Sequence, residues 1–168
     1  MKKASLVLFI ISLAAWLPVN AFAAAADKDQ PIRVEADSLE IRDDDKISIY
    51  SGNVTLVQGS LNVFADQLVI HFDENDDLEL MEMTGSPARF RQLDDENKEM
   101  IGRADKLEYF EPKSLLVLTG NAYFNSDGDI IEGSVIRINT ENDNLEAASP
   151  EPDKRVRVII QPKQKQQE

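Results

Sequence analysis

Residues 36–41 read Ala-Asp-Ser-Leu-Glu-Ile, and three later stretches of the chain repeat this pattern. Their starts lie 29, 39 and 29 residues apart, so the four copies form two pairs offset by 68 residues. A strand unit repeated in this way predicts a stacked β architecture, in which each unit covers an apolar face of its neighbour. The later copies are Ala65-Asp66-Gln67-Leu68-Val69-Ile70, Ala104-Asp105-Lys106-Leu107-Glu108-Tyr109 and the weaker Gly133-Ser134-Val135-Ile136-Arg137-Ile138.

A second motif, Ser or Thr followed by Gly, comes after the first three copies. It reads Ser51-Gly52-Asn53-Val54, Thr84-Gly85-Ser86-Pro87 and Thr119-Gly120-Asn121-Ala122, and the first and third are again 68 residues apart. We interpret Gly52-Asn53 and Gly85-Ser86-Pro87, together with Gly59-Ser60 and Asp127-Gly128, as turns between strands. Turn signals at this frequency predict more than ten short strands.

Alternation of apolar and polar residues with a period of two dominates the chain after Gln30, for example in Ile32–Ala36, Leu68–Phe72 and Val156–Ile160. This period is typical of strands with one buried face, and no later stretch shows a helical stripe. The class is therefore all-β. Sandwiches, closed barrels and solenoids share the alternation, but the fourfold repeat favours a roll that is open at both ends.

The first 23 residues have the pattern of a secretory signal peptide. Lys2-Lys3 precedes an apolar stretch from Ala4 to Leu17, and Ala21-Phe22-Ala23 offers a small-x-small cleavage site. Cleavage after Ala25 or Ala26 also satisfies the rule. We therefore expect a signal peptide over residues 1–23, a single domain over residues 24–161 and a disordered polar tail over residues 162–168.

Acidic residues outnumber basic ones, 31 to 18 in the whole chain. Without Lys2 and Lys3 the formal charge becomes −15, which disfavours nucleic acid as a partner. The acidic clusters lie between alternating runs and are predicted to be hairpin turns. Calcium binding is the alternative, but from Asp73 the sixth position is Leu78 and the twelfth is Thr84, which does not match an EF-hand loop. The clusters are Asp43-Asp44-Asp45, Asp73–Asp77, Asp94–Asn97 and Glu141–Asn144.

Catalytic residue types are scarce. The chain has one histidine, His71, and no cysteine, so it has neither a disulfide framework nor a thiol nucleophile. His71 lies between Ile70 and Phe72 and is expected on the polar face of its strand. A carbohydrate-active enzyme would need carboxylates that converge inside the roll, where the pattern is apolar. We predict no catalytic residue, no metal, no cofactor and no enzymatic activity.

Each end of the stack is expected to be a strand with an unpaired edge, from Pro31 to Ala36 and from Lys154 to Gln161. Unpaired edges recruit further strands, so such an edge either aggregates or joins one chain to another. The expected joining residues are Ile32, Arg33 and Val34 at one end and Arg155, Val156, Arg157, Val158, Ile159 and Ile160 at the other.

Four stretches in order and spacing resemble the OstA-like family of periplasmic lipopolysaccharide-transport proteins, over nearly all of the chain after the signal peptide. The resemblance implies a twisted β-jellyroll, open at both ends, whose copies join head to tail into a bridge between the inner and outer membranes. It also implies docking to β-jellyroll domains of inner- and outer-membrane partners in the periplasm. The stretches are Asp29-Gln30-Pro31-Ile32, Gly52-Asn53-Val54, Gly85-Ser86-Pro87-Ala88-Arg89-Phe90 and Leu116-Val117-Leu118-Thr119-Gly120-Asn121-Ala122-Tyr123.

A transporter of this kind would have to shield the acyl chains of lipid A from water. We expect Ile32, Phe90 and Tyr109 to make the main contacts, and ordinary core packing is the alternative for each residue. If the interior bound no lipid, a structural or adhesive β-repeat protein of the cell envelope would fit the same pattern. The expected groove residues are Ile32, Val34, Val63, Leu68, Phe90, Leu107, Tyr109, Leu118 and Phe124.

Overall fold

The structure is a computed structural model that describes residues 27–162. The signal peptide expected over residues 1–23 and the tail residues 163–168 lie outside the described residues. Short 3-10 turns occur at Asp27–Asp29 and Glu111–Lys113. The strands are β1 Arg33–Glu35, β2 Ser38–Arg42, β3 Ile47–Gln58, β4 Leu61–Phe72, β5 Leu78–Leu93, β6 Glu99–Phe110, β7 Leu115–Ser126, β8 Asp129–Asn139, β9 Leu145–Ala148 and β10 Arg157–Ile159.

All ten strands belong to one antiparallel sheet with the order β1-β3-β4-β5-β6-β7-β8-β10. At one edge β1 and β2 both pair with β3, and at the other β9 and β10 both pair with β8. No pairing joins the two edges within the described chain, so the sheet is open. The prediction of an open all-β fold is confirmed. No helix among residues 27–162 is long and apolar enough to cross a membrane.

A line of β-bulges crosses the middle of the sheet and interrupts the register of all five pairings from β3 to β8. In β4 the buried residues Val63 and Ala65 precede the bulge, and Leu68 and Ile70 follow it. A bulge adds residues to one strand and so changes which positions face inward. Both halves of each strand therefore bury residues on the same side. The shifts lie at Ser51/Val54, Phe64/Gln67, Thr84/Ala88, Arg103/Lys106 and Thr119/Ala122.

The bulges explain why the strands are fewer and longer than the turn signals predict. Gly52-Asn53 and Gly85-Ser86-Pro87 lie inside β3 and β5 and do not end them. Gly52 and Asn53 both have positive φ, +81° and +46°, which suits a bulge as well as a hairpin turn. The Asp37 amide donates to the Gly52 carbonyl at 2.9 Å, so the two motifs meet on neighbouring segments.

The 68-residue repeat has a physical counterpart in this bulge. Asn53 Nδ2 donates to Asp37 Oδ2 at 2.8 Å, and Asn121 Nδ2 donates to Asp105 Oδ2 at 3.0 Å. A Cβ on Gly120 would lie 2.4 Å from Asp105 Oδ2, so glycine is required there by both space and φ. The aspartate of the first motif thus holds the glycine bulge of the second.

The remaining turn predictions are confirmed. Gly59-Ser60 joins β3 to β4, and Asp127-Gly128 joins β7 to β8 with positive φ at both residues, as a type I′ hairpin requires. The acidic clusters lie in turns. Asp73 Oδ1, for example, accepts hydrogen bonds from the amides of Asn75 at 2.7 Å and Asp77 at 2.9 Å. Aspartate side chains that accept backbone amides in this way stabilise turns, which explains the aspartates in these positions without a bound ion.

The bulge line divides the molecule into two halves. The β1–β10 half contains those two strands and the segments 54–65, 88–104 and 122–134, and the β2–β9 half contains the other segments. Four alanines are buried beside the bulge line: Ala65, Ala104 and Ala122 from the two motifs, and Ala88, which follows Pro87. Leu56, Leu68, Leu107, Leu118 and Ile136 are the largest fully buried side chains of the described chain.

Substituting Gly120 by Ala should lower the free energy of unfolding by about 1–3 kcal/mol, because the Cβ would meet Asp105 and the residue would keep a positive φ. Urea unfolding followed by far-ultraviolet circular dichroism measures this. Gly133→Ala is the matched control, since its nearest neighbour to a new Cβ is 3.2 Å away and no positive φ is required. Equal losses in the two variants would contradict the proposed role of the bulge.

Candidate functional site

The inner face of the sheet brings together most of the residues expected to line a groove. Val34 and Tyr109 are partly buried and pack against the core, whereas Ile32 precedes β1, is 42% exposed and lies outside the core cluster. The others lie on β4 to β7, within one apolar cluster that extends from β3 to β8. These are Val63, Leu68, Phe90, Leu107, Leu118 and Phe124.

Phe90 occupies the β1–β10 half of the inner face. Its ring centroid is 6.4 Å from that of Phe124, and the two planes are tilted by 34°. The opposite residue on β6 is Gly102, where an added Cβ would lie 2.0 Å from the Phe90 ring. Gly102 therefore makes room for the aromatic ring to lie against the backbone of β6. The sequence placed Phe90 inside but gave no indication that Gly102 supports it.

The β2–β9 half is lined by more flexible side chains. Met81 is the register partner of Tyr109, and Met83 is the partner of Leu107. Both methionines are buried, and unbranched thioether side chains adapt readily to a changing neighbour. Burial raises the pKa of the Tyr109 hydroxyl, so the phenol stays neutral on this face. This half offers an adaptable apolar lining, and the Phe90 half offers a more rigid one.

Exposed large apolar residues are concentrated at the two edges of the sheet. Val158 is 54% exposed and Ile160 73% exposed, beyond the outer edge of β8. At the opposite edge Leu39 and Ile41 project from β2. The terminal strands β1 and β10 lie at opposite edges of the sheet, and each is shorter than the predicted strands Pro31–Ala36 and Lys154–Gln161. Sequence analysis missed that β2 and β9 extend these edges, although the apolar alternation of Leu39 with Ile41 was a visible signal.

Asp27 fixes the segment that leads into the first edge. Its carboxylate accepts hydrogen bonds from the Ser60 amide at 2.8 Å, from Ser60 Oγ, and from Gln92 Nε2 at 3.1 Å. Partial burial raises the pKa of Asp27, but the hydrogen bonds from Ser60 and Gln92 outweigh it and leave the pKa below its usual value. This anchor ties the segment before β1 to the β3–β4 turn and to β5, and sequence analysis did not identify it.

His71 belongs to a charged network on the outer face. Its Nε2 lies 2.8 Å from Glu82 Oε1, and Lys106 Nζ bridges Glu82 Oε2 at 2.5 Å and Glu108 Oε1 at 2.7 Å. The hydrogen bond from Lys106 is the main reason why the pKa of Glu82 lies below its usual value, with a smaller contribution from His71. The network crosses β4, β5 and β6 and stabilises the sheet from outside.

The acidic clusters lie in turns, and Glu82 and Glu108 lie on the outer face. No group of three or more His, Cys, Asp or Glu side chains within residues 27–162 is arranged to hold an ion. The geometry therefore defines a class: an open β-jellyroll with an apolar inner face and two unpaired edges, suited to an elongated apolar ligand. The chain belongs to the family described as "LptA/(LptD N-terminal domain) LPS transport protein", whose sequence model matches residues 33–144.

Relatives support this assignment over the full length. The chain is 33% identical over 166 residues to lipopolysaccharide export system protein LptA of Escherichia coli K12, which covers 98% of this chain and 89% of that protein. It matches the crystal structure of LptH, the LptA-homologous periplasmic component of the lipopolysaccharide transport device of Pseudomonas aeruginosa. The TM-score is 0.74 at 28% identity, covering 82% of this chain and 100% of that one.

A shorter match extends the family likeness to a second kind of protein. Over 46 residues the chain is 50% identical to LPS-assembly protein LptD of Vibrio cholerae, which corresponds to 27% of this chain and 6% of that protein. The resemblance to the OstA-like transport family stated from the sequence is confirmed, as is the jellyroll it implied.

Replacing Glu82 by Gln should destabilise the protein by about 1 kcal/mol at pH 7, because the carboxylate pairs with Lys106. Its folded-state pKa is lowered from 4.5, so its contribution is present above pH 4.5 and is lost as pH falls through the lowered pKa. The difference between E82Q and the original protein should therefore shrink as the pH falls below 4.5 and through the lowered pKa of Glu82. Urea titrations across pH measure it, and Glu79→Gln, on the same strand but exposed and outside the Lys106 network, is the control and should show a smaller difference at pH 7.

Proposed function

We propose that this protein is a periplasmic carrier that shields the acyl chains of lipopolysaccharide and passes it from the inner to the outer membrane. The observation that carries the proposal is an inner face that is apolar from β3 to β8 in a sheet whose two edges remain unpaired. Membership of a lipopolysaccharide transport family supplies the substrate class. The names of the relatives describe transport and not catalysis, which supports a non-enzymatic role.

The energetic need for such a carrier follows from the chemistry of the cargo. Each methylene group moved out of water is worth about 0.8 kcal/mol, so one acyl chain of about a dozen methylenes costs roughly 10 kcal/mol to expose. An apolar inner face offsets that cost along the whole path. The acidic outer surface and turns meanwhile keep the carrier hydrated.

Entry of a lipid requires the inner face to open, because Leu68, Leu107 and Leu118 are 0–1% exposed. The topology favours opening between the two edges of the sheet, since they share no hydrogen-bonded ladder among residues 27–162. Separating these edges would break apolar contacts that an acyl chain can replace. Val34 and Tyr109 are only partly buried, so they would meet the chain first, with Phe90 and Phe124 deeper inside. Ile32 would contact it at the edge.

The edges support a head-to-tail filament. Edge strands pair with a strand of another protein by β-augmentation, and the apolar side chains there would be buried in the same step. In our proposal Ile32, Arg33 and Val34 of one copy face the segment Arg155–Ile160 of the next. Arg157 already pairs with Glu132 within the chain at 3.1 Å, which steadies β10 as a template. The likeness to LptD supports similar docking to jellyroll domains at both membranes.

A non-enzymatic structural or adhesive β-repeat protein of the envelope is the second candidate. The complete burial of Leu68, Leu107 and Leu118 favours it, because a purely structural roll would pack its interior in this way. The two functions differ in whether the inner face ever meets lipid.

A photo-crosslinking amino acid at Tyr109 should capture lipopolysaccharide, whereas the same group at adjacent Glu108 should capture at least about tenfold less, because neighbouring residues of a strand face opposite sides. The adducts are measured by immunoblotting for lipopolysaccharide after irradiation. Phe90 is a second inward position. Equal capture from both faces would remove the inner-face carrier, and no capture at either inward position would favour the structural alternative.

Placing aspartate at both Val158 and Ile160 should weaken self-association by about tenfold or more, because an interface would then have to bury unpaired carboxylates. Sedimentation velocity over a concentration series measures the effect. The matched control is Leu93→Asp, at an apolar position 36% exposed at the end of β5, away from both edges. Joining through β10 is refuted if oligomers of the double variant form at the same concentrations as those of the control.

A further inference from the structure

Arg89 and Arg103 form an unusual pair on the outer face of the sheet. Arg89 on β5 is the register partner of Arg103 on β6, and both side chains are exposed. Like charges directly opposite one another on adjacent strands destabilise a sheet. The chain has 31 acidic residues, yet neither guanidinium forms an ion pair among residues 27–162. Arg91, two residues along the same strand, does pair with Glu99.

Each guanidinium is held by an aromatic ring instead of a carboxylate. The Arg89 guanidinium carbon lies 4.6 Å from the centre of the Phe64 ring, and that of Arg103 lies 4.4 Å from the centre of the Tyr123 ring. Phe64 is the register partner of Arg89, and Tyr123 that of Arg103, so the four side chains form a row across β4 to β7. Stacking holds a guanidinium in place without using its N–H donors.

Two clefts adjoin this row, one beside each arginine. One of about 250 Å³ is lined by Arg89, Phe64 and Pro87, with Asn53 and Asp66. The other, of about 460 Å³, is lined by Arg103, Pro87, Ser86, Asp105 and Asn121. Asp105 accepts hydrogen bonds from Asn121, so its carboxylate is already engaged. Pro87 lines both clefts, which places the two guanidiniums beside adjoining spaces that a small polar ligand can enter.

We propose that Arg89 and Arg103 form an oxyanion site for a phosphate group on the outer face, separate from the inner face that would carry lipid. Two neighbouring guanidiniums present up to ten N–H donors, and planar guanidinium forks match phosphate oxygens in bidentate fashion. A bound dianion removes the repulsion between the two charges. The site does not depend on the transport function. The same chemistry is available from free inorganic phosphate or from a phosphate carried on a sugar.

Titration of the full chain with inorganic phosphate and, separately, with glucose 1-phosphate tests the site, at low ionic strength and with glucose as the neutral control. Nuclear magnetic resonance of the arginine Nε–H signals reports binding at each guanidinium. We expect saturable shifts at Arg89 and Arg103 and about tenfold weaker binding in R89Q and in R103Q. R91Q is the matched control on the same strand face, and its affinity should change less than about twofold. The three arginines are exposed, and their side chains contact the rings or the carboxylate already described. Circular dichroism checks that the variants fold.

The two ligands distinguish the sources of the phosphate. Equal affinity for both supports a site for the phosphate group alone, and tighter binding of glucose 1-phosphate supports a phosphorylated sugar. Absence of saturable binding by either ligand, or unchanged binding in the R89Q/R103Q double variant, overturns the proposal. The proposal is also overturned if the original protein binds no phosphate and the double variant loses self-association. The two arginines would then bind an acidic surface of a second copy.

Discussion

The line of β-bulges across the sheet is the constraint on which the rest of the structure depends. At Gly52-Asn53 and Gly120-Asn121, β3 and β7 each hold one more residue than β4 and β8 opposite them, and such a shift changes which positions face inward. In β4, Val63 and Leu68 are both buried although four residues separate them, a spacing that unbroken alternation would place on opposite faces. The bulges also allow the long strands to bend at the bulge line, where small buried alanines lie. A single meander can therefore wrap around one apolar interior.

Openness of the sheet follows from the same design. Each edge is split at the bulge line into two short strands, β1 with β2 and β9 with β10, and neither pair closes on the other in the described chain. Short edge strands normally limit aggregation, but here they carry exposed apolar side chains such as Leu39 and Ile160. A jellyroll whose edges are unpaired can admit a ligand between the two edges and can pair each edge with a strand of another jellyroll. The proposed carriage of lipid and the proposed joining of copies would thus both depend on the open edges of the sheet.

The two faces of the sheet divide the chemistry. The inner face is apolar, with an aromatic half around Phe90 and a methionine-containing half around Met83. The outer face is polar. The His71–Glu82–Lys106 network links three strands there, whereas Arg89 and Arg103 stack on aromatic rings and pair with no carboxylate among residues 27–162. Since strands alternate sides at every residue, one sequence supports both faces without conflict.

The all-β class, the inward positions of Leu68, Phe90, Leu107 and Leu118, and the hairpin turns could be read from the sequence alone, because alternation and turn chemistry are local properties of a chain. Gly52-Asn53 was read wrongly as a turn, since positive φ serves a bulge and a hairpin equally. Only the tertiary structure decided that β2 and β9 share the edges, that Asp27 anchors on Ser60, and that Gly102 admits the Phe90 ring. Those outcomes depend on which distant segments become neighbours, and strand register is set by the whole sheet.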